Sequence, residues 1–224
     1  MTHPATAWSF SRWDTWRQCP LKYKLQHLDK LDKEQSPAMI RGNAFHVAIA
    51  KYIEGKPVPL PAEVRSPYHQ ALYQFMREFD GMKMVEQQWG FNRNWGRDKW
   101  FGESVWLRAV LDVALIYGDG EVEAVDHKTG KRYDKNNDQL ELFALTVMFR
   151  IPDTKKVKTR LVYVDAGDQE EITEFSAKDR DKLRDKWEKL AAPMMGDRTW
   201  PARPNDKCKW CPFRQGAGGQ CRFG

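Results

Sequence analysis

The sequence is poor in cysteine and has no long apolar run, and each lack excludes a class of protein. Only four cysteines occur in 224 residues, which is too few for a disulfide-rich secreted scaffold and better suited to a reducing compartment. A membrane-spanning helix needs about 18 consecutive apolar residues, and the sequence contains no such run. The first residues also lack the charged and apolar segments of a secretory leader. We therefore expect a soluble, cytoplasmic protein with no membrane partner.

The sequence also has no internal repeats and no low-complexity segments. Its positive charges only slightly outnumber its negative charges. Lysine and arginine number 37 against 31 aspartate and glutamate, which gives a net charge of +6. This balance suits a polyanionic partner without proving one. At this length, a single elaborated domain that spans residues 1–224 is the simplest arrangement.

Apolar periodicity and turn residues predict helices first, then a run of strands, and then strands and helices in alternation. The predicted helices are 9–31 with a break at Cys19-Pro20, 38–53, 62–79, 139–150 and 177–190. The predicted strands are 82–91, 110–117, 122–125, 158–165 and 171–175. This order predicts an α/β or α+β domain, in which helices flank a sheet.

One predicted hairpin carries the most chemistry. Its strands flank Gly118-Asp119-Gly120, which is a strong turn signal. Asp112 lies in the first strand and Asp126 ends the second, while Lys128 shares a face with Asp126 by strand alternation. Two carboxylates suit Mg²⁺ or Mn²⁺, and an adjacent ammonium could position a water or stabilise an anionic transition state. From this stretch alone, a surface hairpin with solvated acids is an equal alternative.

A second stretch, residues 91–102, interleaves arginine and lysine with Trp95, Trp100 and Phe101. Such interleaving can stack unpaired bases and hold phosphates, so Trp95 and Arg97 are candidate DNA contacts. The alternative is that these aromatic residues only pack the sheet, because tryptophan often serves sheet faces.

Several residues occur together in a family-specific order. They are Gly42-x-x-x-His46, Glu86, Asp112, Asp126-His127-Lys128-Thr129-Gly130 and Gln139-Leu140. In order, spacing and local context this set resembles the PD-(D/E)XK nuclease superfamily, specifically its RecB-type exonuclease branch. The resemblance implies a restriction-endonuclease-like α/β fold with a central mixed β-sheet flanked by helices.

The resemblance also implies roles for individual residues. Asp112 and Asp126 correspond to the two metal-binding acids, and His46 to the additional metal ligand of this branch. Lys128 corresponds to the catalytic lysine, and Gln139 to a glutamine that shapes the site and contacts DNA.

Other positions near the proposed site also have predicted roles. His127 could offer its backbone carbonyl to the metal while its side chain points away, and Glu86 is assigned more as a supporting residue than as a ligand. Phe143 stands where a Gln-x-x-x-Tyr pattern has tyrosine, which is a departure from the family. Lys131 and Arg132 could track the DNA backbone; the alternative is a solvated loop.

The cysteines lie near the two ends of the chain. They are Cys19, Cys208, Cys211 and Cys221. Together with the pattern S-x-S-R-W-x-x-W-x-x-C-P they resemble the iron–sulfur staple of AddB-like and CRISPR-associated members of the branch. Four thiolates can hold a 4Fe–4S cluster that joins residues 9–31 to residues 200–224. A structural zinc ion, or four unconnected cysteines, are the alternatives.

The activity that the resemblance implies is a DNA exonuclease that uses Mg²⁺ or Mn²⁺ and acts on single-stranded ends. The sequence has no G-x-x-x-x-G-K motif of a helicase motor, so we expect a helicase or recombination partner to supply unwinding. Recombination, repair or phage DNA processing is the expected setting. The alternatives are a catalytically silent DNA-binding subunit with a nuclease fold, and an iron–sulfur regulator that responds to redox state.

Overall fold

A six-stranded mixed β-sheet forms the centre of the protein, with strand order β2-β1-β3-β4-β5-β6. The strands are β1 Met82–Phe91, β2 Arg97–Asp98, β3 Leu107–Ile116, β4 Glu121–Lys128, β5 Lys156–Tyr163 and β6 Glu170–Ser176. Neighbouring strands are antiparallel except β4 and β5, which are parallel. The structure is a computed structural model that describes residues 6–31, 36–130 and 137–223.

In the part of the chain that the structure describes, six α-helices surround the sheet. They are α1 Phe10–Gln18, α2 Pro20–Tyr23, α3 Pro37–Ile53, α4 Pro67–Glu78, α5 Asn137–Arg150 and α6 Arg180–Gly196, with a π-helical turn at Lys24–Leu28. The long α5 connects the parallel strands β4 and β5, as a parallel pair requires. Among the described residues, no helix has both the length and the apolar character needed to cross a bilayer.

The first helices differ from the sequence prediction in their ends. The predicted break at Cys19-Pro20 is present, because Cys19 takes an extended conformation (φ −162°) before the proline. The predicted start of α4 at residue 62 was wrong. The helix begins at Pro67, where Ser66 accepts a hydrogen bond from the His69 amide and proline takes the first helical position.

Apolar side chains cover both faces of the sheet. One face packs against α3 and α4, and its core contains Phe45, Ile49, Tyr73, Val113, Val125 and Val162. The other face packs against α1, α5 and α6, and its core contains Trp8, Trp13, Ala114, Ala124, Leu142 and Trp187. The predicted α/β class, a mixed sheet flanked by helices, is therefore confirmed.

Candidate active site

The two predicted acids lie at the point where β3 and β4 part. The last paired residues of these strands are Val113 and Val125, and the same register puts Asp112 opposite Asp126 one position further on. Asp112 accepts a hydrogen bond of 2.8 Å from the backbone N–H of His127. Its carboxylate thus pairs with a backbone amide just beyond the last hydrogen-bonded residues of the two strands. Both carboxylates are buried. Burying two carboxylates side by side costs free energy unless cations or hydrogen-bond donors compensate their negative charge.

A histidine and a third acid meet Asp112. His46 lies on α3, and its Nδ1 is 3.3 Å from Asp112 Oδ2 and 3.8 Å from Glu86 Oε1. One potential ligand atom from each of the three residues lies within 4.8 Å of the others. Among the described histidines, cysteines and acids, this is the one group of three that is so close.

Glu86 reaches this group with an unusual backbone conformation. Its neighbours Val85 and Gln87 pair with Val113 and Leu111, so Glu86 lies opposite Asp112 across β1 and β3. Its φ is +49°, which L-residues rarely adopt and which costs about 1–2 kcal/mol. The sequence signal for Glu86 was only an acid within an apolar strand, and it favoured a supporting role over that of a ligand.

Lys128 and Gln139 contact the other acid. Lys128 Nζ is 2.6 Å from Asp126 Oδ2, and the side-chain amide of Gln139, from the first turn of α5, donates a hydrogen bond of 3.2 Å to Asp126 Oδ1. The structure thus brings together His46, Asp112, Asp126, Lys128 and Gln139. The side chain of His127 points to the face that α3 and α4 cover, where its Nδ1 lies 3.1 Å from the Tyr73 hydroxyl and its ring centre 5.9 Å from that of His46.

The charges of the site are strongly coupled. Burial acts to lower the pKa of His46, but its hydrogen bonds to Asp112 and Glu86 outweigh burial and raise the pKa to about 10. Burial alone would raise the pKa of Asp112, yet the contact with His46 and the nearby His127 hold it below its ordinary value. Burial raises the pKa of Asp126 to about 6 against the opposing charge of Lys128. A cation bound here would therefore take the place of a proton on His46.

The loop after Lys128 is held against α3. A Cβ on Gly42 would lie 3.1 Å from Thr129 Oγ1, so glycine allows the close approach of the helix to the loop. The Gly130 amide donates to Asp165, whose carboxylate also accepts two hydrogen bonds from Arg41 at 2.7 and 2.6 Å. The helix that carries His46 is thereby joined to the segment that carries Lys128.

The predicted DNA contacts in residues 91–102 need correction. Trp95 is only 2% exposed, it stacks on Phe149 and its indole N–H donates to Glu188. No face of its ring is available to a base. Arg97 donates to the carbonyl of Arg150, at the end of α5, which is roughly 16 Å along the helix from Gln139. Lys131 and Arg132 lie outside the described residues.

A cleft of about 440 Å³ opens beside the acids and contains residues that the sequence prediction missed. Its lining includes Arg12, Trp100, Phe101, Arg108, Asp112, Asp126, Gln139 and Phe143. The aromatic stretch therefore does contribute to the cleft, but through its second half. Arg108 lies four residues before Asp112 on β3, in the part of the strand that precedes its predicted start at residue 110.

The four cysteines line one small cleft between the two ends of the chain. None forms a disulfide. Backbone N–H groups of Arg203 and Asn205 donate to the sulfur atoms of Cys19 and Cys208 at 3.4 and 3.3 Å.

A family model matches most of the chain. The model of the PD-(D/E)XK nuclease superfamily matches residues 7–100 and 62–216. The chain belongs to this superfamily. No curated protein matches the chain.

Two solved structures are similar to this PD-(D/E)XK nuclease chain in fold. The protein SSO0001 is 15% identical with a TM-score of 0.50, and the match covers 95% of this chain and 86% of that one. A protein named "Putative exonuclease" from Eubacterium rectale is 13% identical with a TM-score of 0.50, and the match covers 95% of this chain and 87% of that one. At these identities the likeness concerns the fold alone.

Nucleases of this superfamily generally use Mg²⁺ or Mn²⁺, and the donor set of this chain fits such ions. Glu86 and Asp112 supply carboxylate oxygens and His46 an imidazole nitrogen. Hard oxygen donors suit both cations, and a nitrogen donor is better tolerated by Mn²⁺ than by Mg²⁺. The PD-(D/E)XK nuclease thus has a candidate metal site on β1, β3 and α3, with the pair Asp126 and Lys128 beside it.

Proposed function

We propose that the protein is a divalent-metal-dependent deoxyribonuclease that hydrolyses DNA phosphodiester bonds. The single observation that carries this proposal is the convergence of His46, Glu86 and Asp112 within 4.8 Å, next to an ion pair between Asp126 and Lys128. Metal ligands alone would fit many proteins. Metal ligands beside a buried acid–lysine pair fit the hydrolysis of an anionic ester.

Each residue has a proposed part in the reaction. His46, Asp112 and Glu86 hold the cation, with Asp126 and the backbone carbonyl of His127 as further ligands. The bound Mg²⁺ or Mn²⁺ supplies Lewis-acid activation of a water and neutralises charge on the phosphate. Lys128 orients or deprotonates that water, or donates to the negative charge of the transition state. Gln139 positions the Asp126 carboxylate through its amide.

We further propose that the enzyme is an exonuclease on single-stranded DNA. The cleft of about 440 Å³ beside the acids supports this reading, because its size matches pockets that hold small ligands and would admit an unpaired strand more readily than a duplex. The match in fold to a protein named as an exonuclease agrees with it.

The test is degradation of end-labelled single-stranded and double-stranded DNA with Mg²⁺ or Mn²⁺. We expect Lys128→Ala and Asp126→Asn to lose about 10²-fold or more in rate, as for the removal of one transition-state donor. Lys189→Ala, an exposed lysine on α6, is the matched control and should keep full activity. Binding of DNA without any metal-dependent cleavage would instead support the catalytically silent DNA-binding subunit.

We propose that the four cysteines hold a 4Fe–4S cluster. The cleft that all four cysteines line supports one shared site for them. Protein purified without oxygen should contain iron and sulfide and absorb visible light, and Cys211→Ser should lose both. Stoichiometric zinc with no iron would favour the zinc alternative, and DNA binding that changes on oxidation would favour a redox-responsive regulator.

The proposed setting is recombination, repair or phage DNA processing in the cytoplasm, with a helicase or recombination protein as partner. Four free cysteines agree with a reducing compartment. We also propose that residues 1–224 act as one nuclease domain, since α1 near one end packs against α6 near the other.

A further inference from the structure

We infer that Arg12, Arg108 and Phe101 form a path that binds an unpaired DNA strand and leads it to the acids. The inference rests on the proposed nuclease function and names the residues that would select its substrate. All three line the cleft that also contains Asp112 and Asp126.

The two arginines are a pair of like charges without a compensating acid. Among the described residues, neither guanidinium lies within 4.0 Å of a carboxylate, whereas Arg41 and Arg160 are ion-paired with Asp165 and Glu123. Arg12 donates to the Ala7 carbonyl at 3.0 Å and Arg108 to the Trp100 carbonyl at 2.7 Å. These bonds orient the guanidinium groups while adding no negative charge.

The electrostatics of the pair favour an anionic ligand. Burial and the neighbouring charge of Arg12 both lower the pKa of Arg108. Two guanidinium groups that repel each other in a cleft are relieved by an anion between them. Planar guanidinium groups bind phosphate with two parallel hydrogen bonds, which makes a phosphodiester backbone a fitting occupant.

Phe101 supplies an apolar surface at the mouth of the same cleft. Its side chain is 83% exposed, and the Arg108 guanidinium lies 5.3 Å from the centre of its ring. The loop that carries it is well braced, because the Asp98 carboxylate accepts hydrogen bonds from Ser104 and from the Lys99 amide. An exposed, positioned aromatic ring beside arginines is the arrangement on which unpaired bases stack.

The path has a direction along β3. Arg108, Val110 and Asp112 alternate on one face of the strand, and Val110 is exposed between the two polar residues. Four residues of strand span about 13 Å. Arg108 therefore reaches a phosphate other than the one at the acids, while Val110 offers an apolar contact to the nucleotide between them. Bases that are paired in a duplex could not stack on Phe101.

The experiment measures binding of a labelled single strand and of a blunt duplex by fluorescence anisotropy, at several salt concentrations. Lys128→Ala is the background, so that no strand is cut. We expect Phe101→Ala to weaken single-strand binding about tenfold with an unchanged salt slope. Arg12→Gln should reduce the slope by about 0.7, the value for one phosphate contact on a single strand. Phe101→Trp, which keeps an aromatic ring, should bind the single strand as tightly as the background protein does.

Matched controls are Phe75→Ala and Arg184→Gln. Phe75 is an exposed phenylalanine on α4, whose helix packs on the other face of the sheet, and Arg184 is a partly exposed, ion-paired arginine on α6. Both should leave binding and slope unchanged. Circular dichroism and thermal melts of each variant check that Arg12→Gln and Phe101→Ala are folded.

The outcomes separate this inference from the proposed function. Unchanged binding and slope in folded Phe101→Ala and Arg12→Gln variants would overturn the inference, and so would equal losses for single strand and duplex. DNA cleavage by the unmodified protein could still hold in either case. If the unmodified protein binds single strands through these residues but never cleaves, the inference stands and the nuclease proposal fails.

Discussion

The unusual backbone conformation of Glu86 is explained by the position of its side chain. A positive φ within a strand is unfavourable for glutamate, and the strand would pair more regularly without it. The side chain nevertheless faces His46 and Asp112. Strain of this kind persists where the surrounding structure holds it, often at functional sites. We therefore assign Glu86 as a metal ligand rather than as a residue that only supports the metal site.

This assignment predicts a defect in metal binding. Because affinity depends on the number of charged ligands, Glu86→Gln should weaken Mn²⁺ binding about tenfold or more, measured by isothermal titration calorimetry without DNA. Its thermal stability should change little, since the residue is partly exposed. Glu103→Gln, at an exposed glutamate in the β2–β3 connection, is the control. An unchanged Mn²⁺ affinity in Glu86→Gln would return Glu86 to a supporting role.

His69 is a second residue whose environment has a measurable consequence. It is fully buried on α4, and among the described residues neither of its ring nitrogens has a hydrogen-bond partner. Burial lowers its pKa below the ordinary 6.5, although Glu170 and Asp168 act in the opposite direction. The folded protein thus holds His69 neutral while the unfolded chain binds a proton below pH 6.5. Stability from this residue is present above that pH and is lost as the pH falls.

The pH dependence of unfolding tests this account of His69. Between pH 7.5 and 5.5 the unmodified protein should lose more free energy of unfolding than His69→Phe, which cannot titrate. Urea unfolding at both pH values measures the difference, and the comparison between the two proteins cancels the titration of His46 and Asp126. Equal losses in both proteins would show that His69 accepts its proton as readily in the folded state.

At the scale of elements, the turn between Cys211 and Cys221 depends on one glycine. A Cβ on Gly219 would lie 2.2 Å from the backbone carbon of Phe213, a distance that no side chain can occupy. The close approach lets the Cys221 amide donate to the Phe213 carbonyl at 2.7 Å and the Gly219 amide to the Arg214 carbonyl at 2.8 Å. The gap of nine residues between the two cysteines is thus closed by a compact turn.

We expect Gly219→Ala to open this turn and to release whatever the cysteines hold. Iron and zinc content of the purified variant, measured by elemental analysis, should fall well below that of the unmodified protein. Gly196→Ala, at the end of α6 where a Cβ meets nothing within 4 Å, is the control and should keep its metal. Full metal content in Gly219→Ala would mean that the turn does not bring Cys221 to the site.

At the scale of the whole molecule, the two ends of the chain are joined by packing as well as by cysteines. Trp8 stacks against Trp187 with ring centres 5.9 Å apart. The Trp13 indole donates to the Leu190 carbonyl at 3.0 Å, and the Trp16 indole to Asp197 at 2.9 Å. These contacts bury large aromatic surfaces, which stabilise a fold by several kcal/mol in total. The N-terminal helix is therefore part of the core without help from a cluster.

Replacing a cysteine should consequently loosen one segment rather than unfold the protein. In Cys208→Ser we expect faster amide hydrogen exchange in residues 203–223, while the segment around Trp8 and Trp13 and the strands of the sheet keep their protection. Mass spectrometry of exchange in the unmodified protein and the variant measures this. Loss of protection throughout the sheet would show that the cysteine site stabilises the whole fold.

Much of the architecture followed from the sequence by itself. Alternating and continuous apolar runs between turn residues predicted β1 with its observed bounds, 82–91, and the β3–β4 hairpin around Gly118-Asp119-Gly120. The order of chemical motifs along the chain predicted the PD-(D/E)XK superfamily, which the family model confirmed. These features depend on short-range periodicity, turn chemistry and residue identity, all of which are local properties of the chain.

Contacts between distant residues were decided only by the tertiary structure. The stretch 91–102 has the same aromatic composition throughout, yet Trp95 is buried against α5 and α6 whereas Phe101 is exposed beside the acids. Composition cannot separate the two, because the difference depends on which surfaces the loop meets. Likewise, Glu86 joins His46 only because β1 pairs with β3 and α3 crosses above them. Sequence determined which chemical groups this nuclease carries, and long-range packing decided which of them meet.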